Sequence, residues 1–256
     1  MQDLRITTVQ ANQIWEDKKD NLANYERLLK DIKPSDLIIF PEMFHTGFSM
    51  NVEALAENLE NSLGINWLKN CAKTKNCAVY TSLIIEENGL FFNRGVFIEP
   101  TGNLFIYDKR KCFSLAHEDD FFTAGKNEVI IEYKAWKLQL QICYDLRFPE
   151  IVRNRIENNS PAYDVILYVA NWPKKRAEHW KALLKARAIE NQCYVVGVNR
   201  VGTDGKGLEY SGDSSCFSAL GELEMNCNDV EQIQQHTITM KDLSEIRNNI
   251  PFLKDR

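Results

Sequence analysis

The sequence predicts one mixed-sheet α/β domain, on three observations. Strand and helix signals alternate along the chain, with no low-complexity tract and no linker between them. Hairpins interrupt the strand–helix–strand repeats, which argues against an all-parallel sheet. Several short runs are wholly apolar, as in strands covered on both faces. A chain of 256 residues is long enough for one large core, and residues 1–256 are read as a single domain.

In chain order, LRITTVQ (4–10) reads as the opening strand. Residues 17–32 place Leu22, Tyr25, Leu28, Leu29 and Ile32 on one helical face, with Asp17 as the N-cap. DLIIF (36–40) is a wholly apolar strand, and Trp67, Leu68, Cys71 and Ala72 form the stripe of a second helix. CAVYTSLII (77–85) and residues 91–98 flank a turn at Glu87, Asn88 and Gly89 and form a hairpin. After the Thr101, Gly102, Asn103 turn and the strand LFIYD, residues 109–127 lack periodicity, and an irregular stretch of that length points to a functional loop. KLQLQIC (137–143) alternates, with Leu138, Leu140 and Ile142 on one face and Gln139, Gln141 and Cys143 on the other. Pro149 marks the expected start of a helix, since proline suits the first helical position. DVILYVA (164–170), a helix over 177–192 and CYVVGVN (193–199) complete a strand–helix–strand unit. A glycine-rich loop over 202–212 precedes short strands at 214–218, 222–226 and 233–239 and a last helix near 241–248.

The 44% apolar and 26% charged fractions are those of a globular chain, which excludes disorder and fibrous repeats. A net charge of −5, from 31 basic and 36 acidic residues, gives no electrostatic reason to expect a nucleic acid or a membrane surface as partner. The apolar runs at 37–40 and 165–170 are too short to span a bilayer. Seven cysteines cannot all pair within the chain, and MQDLRITTVQ lacks the apolar run of a secretory signal, so free thiols in the cytoplasm are expected.

Three polar residues sit at or just past the ends of apolar strands: Glu42, Cys143 and Asn171. Ligand sites gather at such ends in open α/β sheets. Taken singly, Cys143 reads as a buried small residue, Glu42 as a turn acceptor and Lys109 as a solvated loop lysine. There is no G-x-S-x-G elbow, no phosphate-binding G-x-x-x-x-G-K-[ST], and no dinucleotide-type glycine pattern. The four histidines (45, 117, 179, 236) are scattered and Cys71 and Cys77 have no matching second pair, so neither a metal nor another cofactor is expected.

Read together, five segments resemble the nitrilase, or carbon–nitrogen hydrolase, superfamily. They are PEMF (41–44), YDK (107–109), the E-x-x-x-F-x-x-G pattern over 118–125, ICYDLRFPE (142–150), and ANWP (170–173) followed by R-x-x-HW (176–180). They occur in the family's order and span nearly the whole chain, ending in ARAIENQCYVVGVNR (186–200) and GLEYSGDSS (207–215). PEMFHTGFSM, NWPKKRAEHW and VGTDGKGLEYSGDS are similar to segments of the ω-amidase-like branch. One departure is that Lys111, Cys112 and Phe113 stand where many members have His-Leu-Phe.

The resemblance implies a four-layer αββα sandwich, a homodimer, and a Glu–Lys–Cys set that falls on Glu42, Lys109 and Cys143. A second family glutamate falls on Glu118. The chemistry so implied suits amides, whose carbon is a poor electrophile and whose nitrogen leaves only when protonated: a cysteine thioester splits the reaction in two. Glu42 would shuttle the proton and activate water, while Lys109 and the backbone N–H of Tyr144 would face the oxyanion. The implied substrates are short dicarboxylate monoamides of the 2-oxoglutaramate and 2-oxosuccinamate type. Their free carboxylate needs a cation, for which Arg176 is the candidate, with Phe44, Tyr144, Asn171 and Trp172 as pocket residues. Arg147, close to Pro149, reads as a structural ion-pair residue. N-carbamoyl amino acids and nitriles remain alternative substrates. A catalytically inactive binding module and a thiol redox protein using Cys143 or Cys112 are the readings from other classes, the latter disfavoured because no C-x-x-C is present.

Overall fold

The computed structural model describes residues 3–256. β1 (Leu4–Gln10) leads to α1 (Lys18–Leu29), whose first turn is capped by the Asp17 carboxylate accepting from the Asp20 N–H at 3.0 Å. β2 (Leu37–Ile39) is followed by α2 (Val52–Leu55) and α3 (Leu63–Lys75). Ser62 caps α3, and Asn76 ends it in the left-handed conformation that asparagine tolerates. β3 (Ala78–Glu87) and β4 (Leu90–Ile98) form the expected hairpin, and β5 (Leu104–Asp108) adds to it. α4 (Glu118–Phe121) precedes β6 (Ile130–Tyr133) and β7 (Trp136–Ile142). A small hairpin of β8 (Ile156–Glu157) and β9 (Ser160–Pro161) comes before β10 (Val165–Ala170), α5 (Ala177–Asn191) and β11 (Tyr194–Asn199). The chain closes with β12 (Val201–Thr203), β13 (Glu209–Ser211), β14 (Ser215–Phe217), β15 (Leu223–Asn226), β16 (Gln232–Ile238) and α6 (Met240–Asn249).

Two six-stranded mixed sheets result, in the orders β16-β1-β2-β3-β4-β5 and β15-β14-β11-β10-β7-β6. The helix-linked strands β1, β2 and β3 run parallel, as do β7, β10 and β11, while the hairpin neighbours run antiparallel. Alternation sorts the first sheet's residues. Leu4, Ile6, Leu37, Ile39, Ala78, Tyr80 and Phe97 join the core shared with the second sheet, and Val9, Ile38, Val79, Val96 and Ile98 pack with Leu22, Tyr25, Ile65 and Leu68 of α1 and α3. α5 lies on the second sheet at Gly197, where a Cβ would come within 2.5 Å of Leu184. Leu243 of α6 joins the same core, and Arg247 holds Asp164 at 2.6 Å. The fold is thus an α/β sandwich of two mixed sheets with helices against them, as expected. Among the described residues no helix is long and apolar enough to cross a membrane.

Three local expectations are corrected. No helix starts at Pro149. Residues Pro149–Ile151 make a single 3₁₀ turn, after which buried Asn154 pins the chain through Tyr163 O at 3.1 Å and Asn191 O at 3.0 Å. The loop over 109–127 carries a 3₁₀ turn, Ser114–Ala116, and then α4. The glycine-rich stretch over 202–212 is a β12–β13 hairpin in which Gly202 pairs with Tyr210.

Candidate active site

Strand ends converge between the two sheets. β2 ends at Ile39, and Glu42 follows Pro41 into a turn closed by Met43, whose φ is +45°. The Met43 N–H donates to Ser82 Oγ at 2.9 Å and the Thr81 hydroxyl to Pro41 O at 2.6 Å, fixing the Glu42 backbone against β3. β5 delivers Lys109, whose N–H donates to Asn93 O on β4 at 3.0 Å. β7 ends in Cys143 at a φ of +46°, a left-handed geometry that a non-glycine residue holds only when its surroundings enforce it. Asp145 supplies that enforcement. Its carboxylate accepts from the Ile142 N–H at 3.0 Å, the Lys111 N–H at 2.9 Å and the Tyr107 hydroxyl at 2.8 Å, tying the Cys143 turn to the segment after Lys109. Burial pushes the Asp145 carboxyl up to about 6, opposed by Lys109 and by these donors.

Lys109 Nζ donates to Glu42 Oε1 at 2.9 Å and to both oxygens of Glu118 at 2.9 and 2.8 Å, with all three side chains buried. Asn93 Nδ2 bridges the same two carboxylates, at 2.8 Å to Glu42 and 3.1 Å to Glu118. Glu42 Oε2 accepts the Asn171 N–H at 2.8 Å, and Glu118 Oε2 the Phe113 N–H at 2.6 Å. Burial would lower the Lys109 pKa, but Glu118 and Glu42 outweigh it and hold the ammonium well above its usual range. Burial, then Glu42, pushes the Cys143 thiol well above its usual range, against the pull of Lys109. Cys143 therefore rests as a thiol, with its Sγ 3.9 Å from Asn171 O.

This cluster lies under a cavity of about 390 Å³ lined by Lys109, Cys143, Tyr144, Asn171, Trp172 and Arg176 among others. Phe44, expected in its wall, is fully buried behind it: the Met43 turn sends the ring into the Tyr25, Phe40 and Trp67 cluster, and Phe48 lines the cavity instead. Arg147 also lines the cavity and, among the described residues, has no carboxylate partner. It stacks on Trp172 at 4.7 Å, which corrects its reading as a structural ion-pair residue. Burial, then the charge of Arg176, lowers the Arg147 pKa, so the two guanidiniums act on each other. Arg176 likewise has no carboxylate partner among the described residues and lies 5.3 Å from the Phe113 ring. The sequence reading missed Asn93, whose only signal was a lone amide in an apolar strand, and Asp145, which no pattern distinguishes from an ordinary turn aspartate.

The carbon-nitrogen hydrolase family model matches residues 5–248. The chain belongs to that family. Among carbon-nitrogen hydrolases, it is 40% identical over 257 residues to the omega-amidase YafV of Escherichia coli, covering all of this chain and 97% of that one. It is 29% identical to the 2-oxoglutaramate amidase of Bacillus subtilis over 98% of this chain and 96% of that one. A CN-hydrolase superfamily protein from Xanthomonas campestris, solved with an arsenic adduct in its active site, superposes at a TM-score of 0.97 with 39% identity, covering all of this chain and 98% of that one. The protein is accordingly a hydrolase of carbon–nitrogen bonds other than peptide bonds, with amidase activity of the nitrilase-superfamily type.

Proposed function

We propose that this hydrolase cleaves the terminal amide of short dicarboxylate monoamides, of which 2-oxoglutaramate and 2-oxosuccinamate are examples, with Cys143 as nucleophile. The observation that carries the substrate class is the Arg147–Arg176 pair. Two guanidiniums in the wall of the Cys143 cavity, neither held by a carboxylate among the described residues, suit a ligand that brings its own. The names of the Escherichia coli and Bacillus subtilis relatives point the same way.

In this reading Cys143 Sγ attacks the amide carbon as Glu42 takes the thiol proton. The oxygen becomes anionic and is met by Lys109 Nζ and by the Tyr144 N–H, which lies in the first turn of a 3₁₀ segment where no intrahelical acceptor exists. Glu42 passes its proton to the nitrogen, the C–N bond breaks, ammonia leaves and a thioester remains. Water then attacks the thioester with Glu42 as base, and the C–S bond breaks to regenerate the thiol and release the acid. Glu118 positions Lys109 and does not itself react, since its oxygens are engaged by Lys109, Asn93 and Phe113. A homodimer and a cytoplasmic location complete the reading, the first on the family likeness and the second on seven free cysteines.

The test is ammonia release from ω-amides of 2-oxo acids, their analogues lacking the carboxylate, ureido acids and nitriles. The ω-amides should turn over fastest, and Cys143→Ala and Glu42→Gln should abolish or nearly abolish release. Arg147→Met and Arg176→Met should each lower kcat/KM about 10- to 100-fold, as for one lost charge-assisted hydrogen bond, mainly through KM. Full turnover by Cys143→Ala refutes the mechanism. Equal rates with and without the substrate carboxylate refute the substrate class.

A further inference from the structure

At the opposite end of the sequence pattern, three residues with no spacing relation meet at one point. Cys216 lies on β14, Glu224 on β15 and His236 on β16, and one donor atom from each lies within 4.8 Å of the other two. β15 and β16 are edge strands of different sheets, so the three groups straddle the seam where the two sheets meet. The register explains how Glu224 gets there. Cys216 pairs with Met225 and Phe217 with Leu223, so Glu224 is the extra residue of a β-bulge, a device that re-aims a side chain. His236, opposite Ile6 of β1, brings Nε2 to 2.8 Å from Glu224 Oε2.

A histidine–glutamate ion pair would account for two of these groups. It does not account for the third. The Cys216 thiol is 1% exposed and has no hydrogen-bond partner among the described residues, yet its sulfur lies beside that pair. His236 and Glu224 are about a quarter exposed, which leaves the point reachable from solvent. One thiolate, one imidazole and one carboxylate, with water as a fourth ligand, are a donor set for a borderline-soft divalent ion that takes tetrahedral geometry.

We propose that Cys216, Glu224 and His236, none of which lines the catalytic pocket, form a zinc(II) site that clips the edges of the two sheets together. Binding forms Zn–S, Zn–N and Zn–O bonds. It displaces the His236–Glu224 hydrogen bond and releases the Cys216 proton to solvent. Because a thiol must lose its proton to ligate, affinity should rise with pH.

The test uses the Cys143→Ala protein, which removes the pocket thiol as a competing ligand, after removal of metal by a chelator. Zinc chloride should bind at one equivalent, and cobalt(II) chloride should give a thiolate-to-cobalt charge-transfer band. Adding Cys216→Ser should abolish the band, and adding His236→Ala or Glu224→Gln should weaken zinc binding about tenfold or more. Glu224→Gln is a surface change that keeps the comparison valid should the buried Cys216→Ser perturb folding. Absence of the band in the parent, its persistence in Cys216→Ser, or unaltered zinc affinity in both His236→Ala and Glu224→Gln would each overturn the proposal.

Discussion

Cys143 and Glu42 face each other as thiol and carboxylate, the reverse of the thiolate–imidazolium pair that primes many cysteine hydrolases. Burial and Glu42 both favour the neutral thiol, so in the proposed mechanism deprotonation waits for the substrate. This predicts where the thiolate first forms. The ultraviolet thiolate absorbance of the wild type, taken as a difference from Cys143→Ala, should be absent near neutral pH and emerge only above the ordinary thiol value of 9.0. In Glu42→Gln the repelling charge is gone and the onset should move to lower pH. A thiolate signal at neutral pH in the wild type would contradict the arrangement. At this scale the motifs placed Glu42, Lys109 and Cys143 together only through the family resemblance, and the structure brings Lys109 against Glu42 and both Lys109 and Cys143 into one cavity wall. The sequence was misleading where neighbours along the chain stood in for neighbours in space. Arg147 is close to Pro149 in sequence, but its partners in space are Trp172, the His179 ring at 3.3 Å and the charge of Arg176. Phe44 and Phe48 are indistinguishable as apolar residues after a strand, and only the Met43 turn decides which ring reaches the cavity.

The segment over 109–127 is the element on which the site depends, because it carries Glu118 back to Lys109. Absence of periodicity marked it as functional, and yet hid the short α4 on which Glu118 rides, since four residues leave no 3.6-residue signature. The same limit explains the false helix at Pro149, where a favourable first residue was not followed by a helix because Asn154 binds the chain elsewhere. Gly125 closes the segment. Its N–H donates to Lys109 O at 2.8 Å, and a Cβ there would sit 2.1 Å from Asp108 O, a backbone atom that cannot rotate away. Gly125→Ala should therefore push the segment off β5 and loosen the Glu118–Lys109 contact. We expect kcat to fall about 10-fold or more, in line with the cost of a displaced site, with a smaller loss of thermal stability because the segment lies outside the main cores. Steady-state kinetics beside a melting curve checks this, and an unchanged kcat would mean that Glu118 does not depend on this closure.

Over the whole molecule, the alternation of strand and helix and the apolar runs made both sheets legible, because each strand's burial is local to its own pattern. Their edges were not legible, since the meeting of β14, β15 and β16 depends on a bulge that leaves no trace in composition. The cysteines carry a consequence at this scale. All seven are free and all are held neutral: burial pushes Cys71 up to about 12, Cys77, Cys112 and Cys227 to about 11, and Cys143, Cys193 and Cys216 well above the usual thiol range. In the unfolded chain the same thiols ionise around 9.0. A folded-state pKa above the unfolded one contributes stability that is complete below the unfolded value and is lost as pH rises toward the folded value. Between about pH 9 and 11 the unfolded chain sheds protons that the folded chain keeps, at about 1.4 kcal/mol per group for each pH unit. Several fully buried thiols contribute in the same direction, so the loss is large against the marginal stability of a domain. Melting temperature should thus fall steeply over that interval under reducing conditions. Cys71→Ala and Cys77→Ala should lower it at neutral pH through the cavities they leave, yet flatten its decline with pH. A melting temperature that holds constant between about pH 8.5 and 10.5 would show that the folded chain ionises its thiols as readily as the unfolded one, and would remove burial as the reason they are neutral.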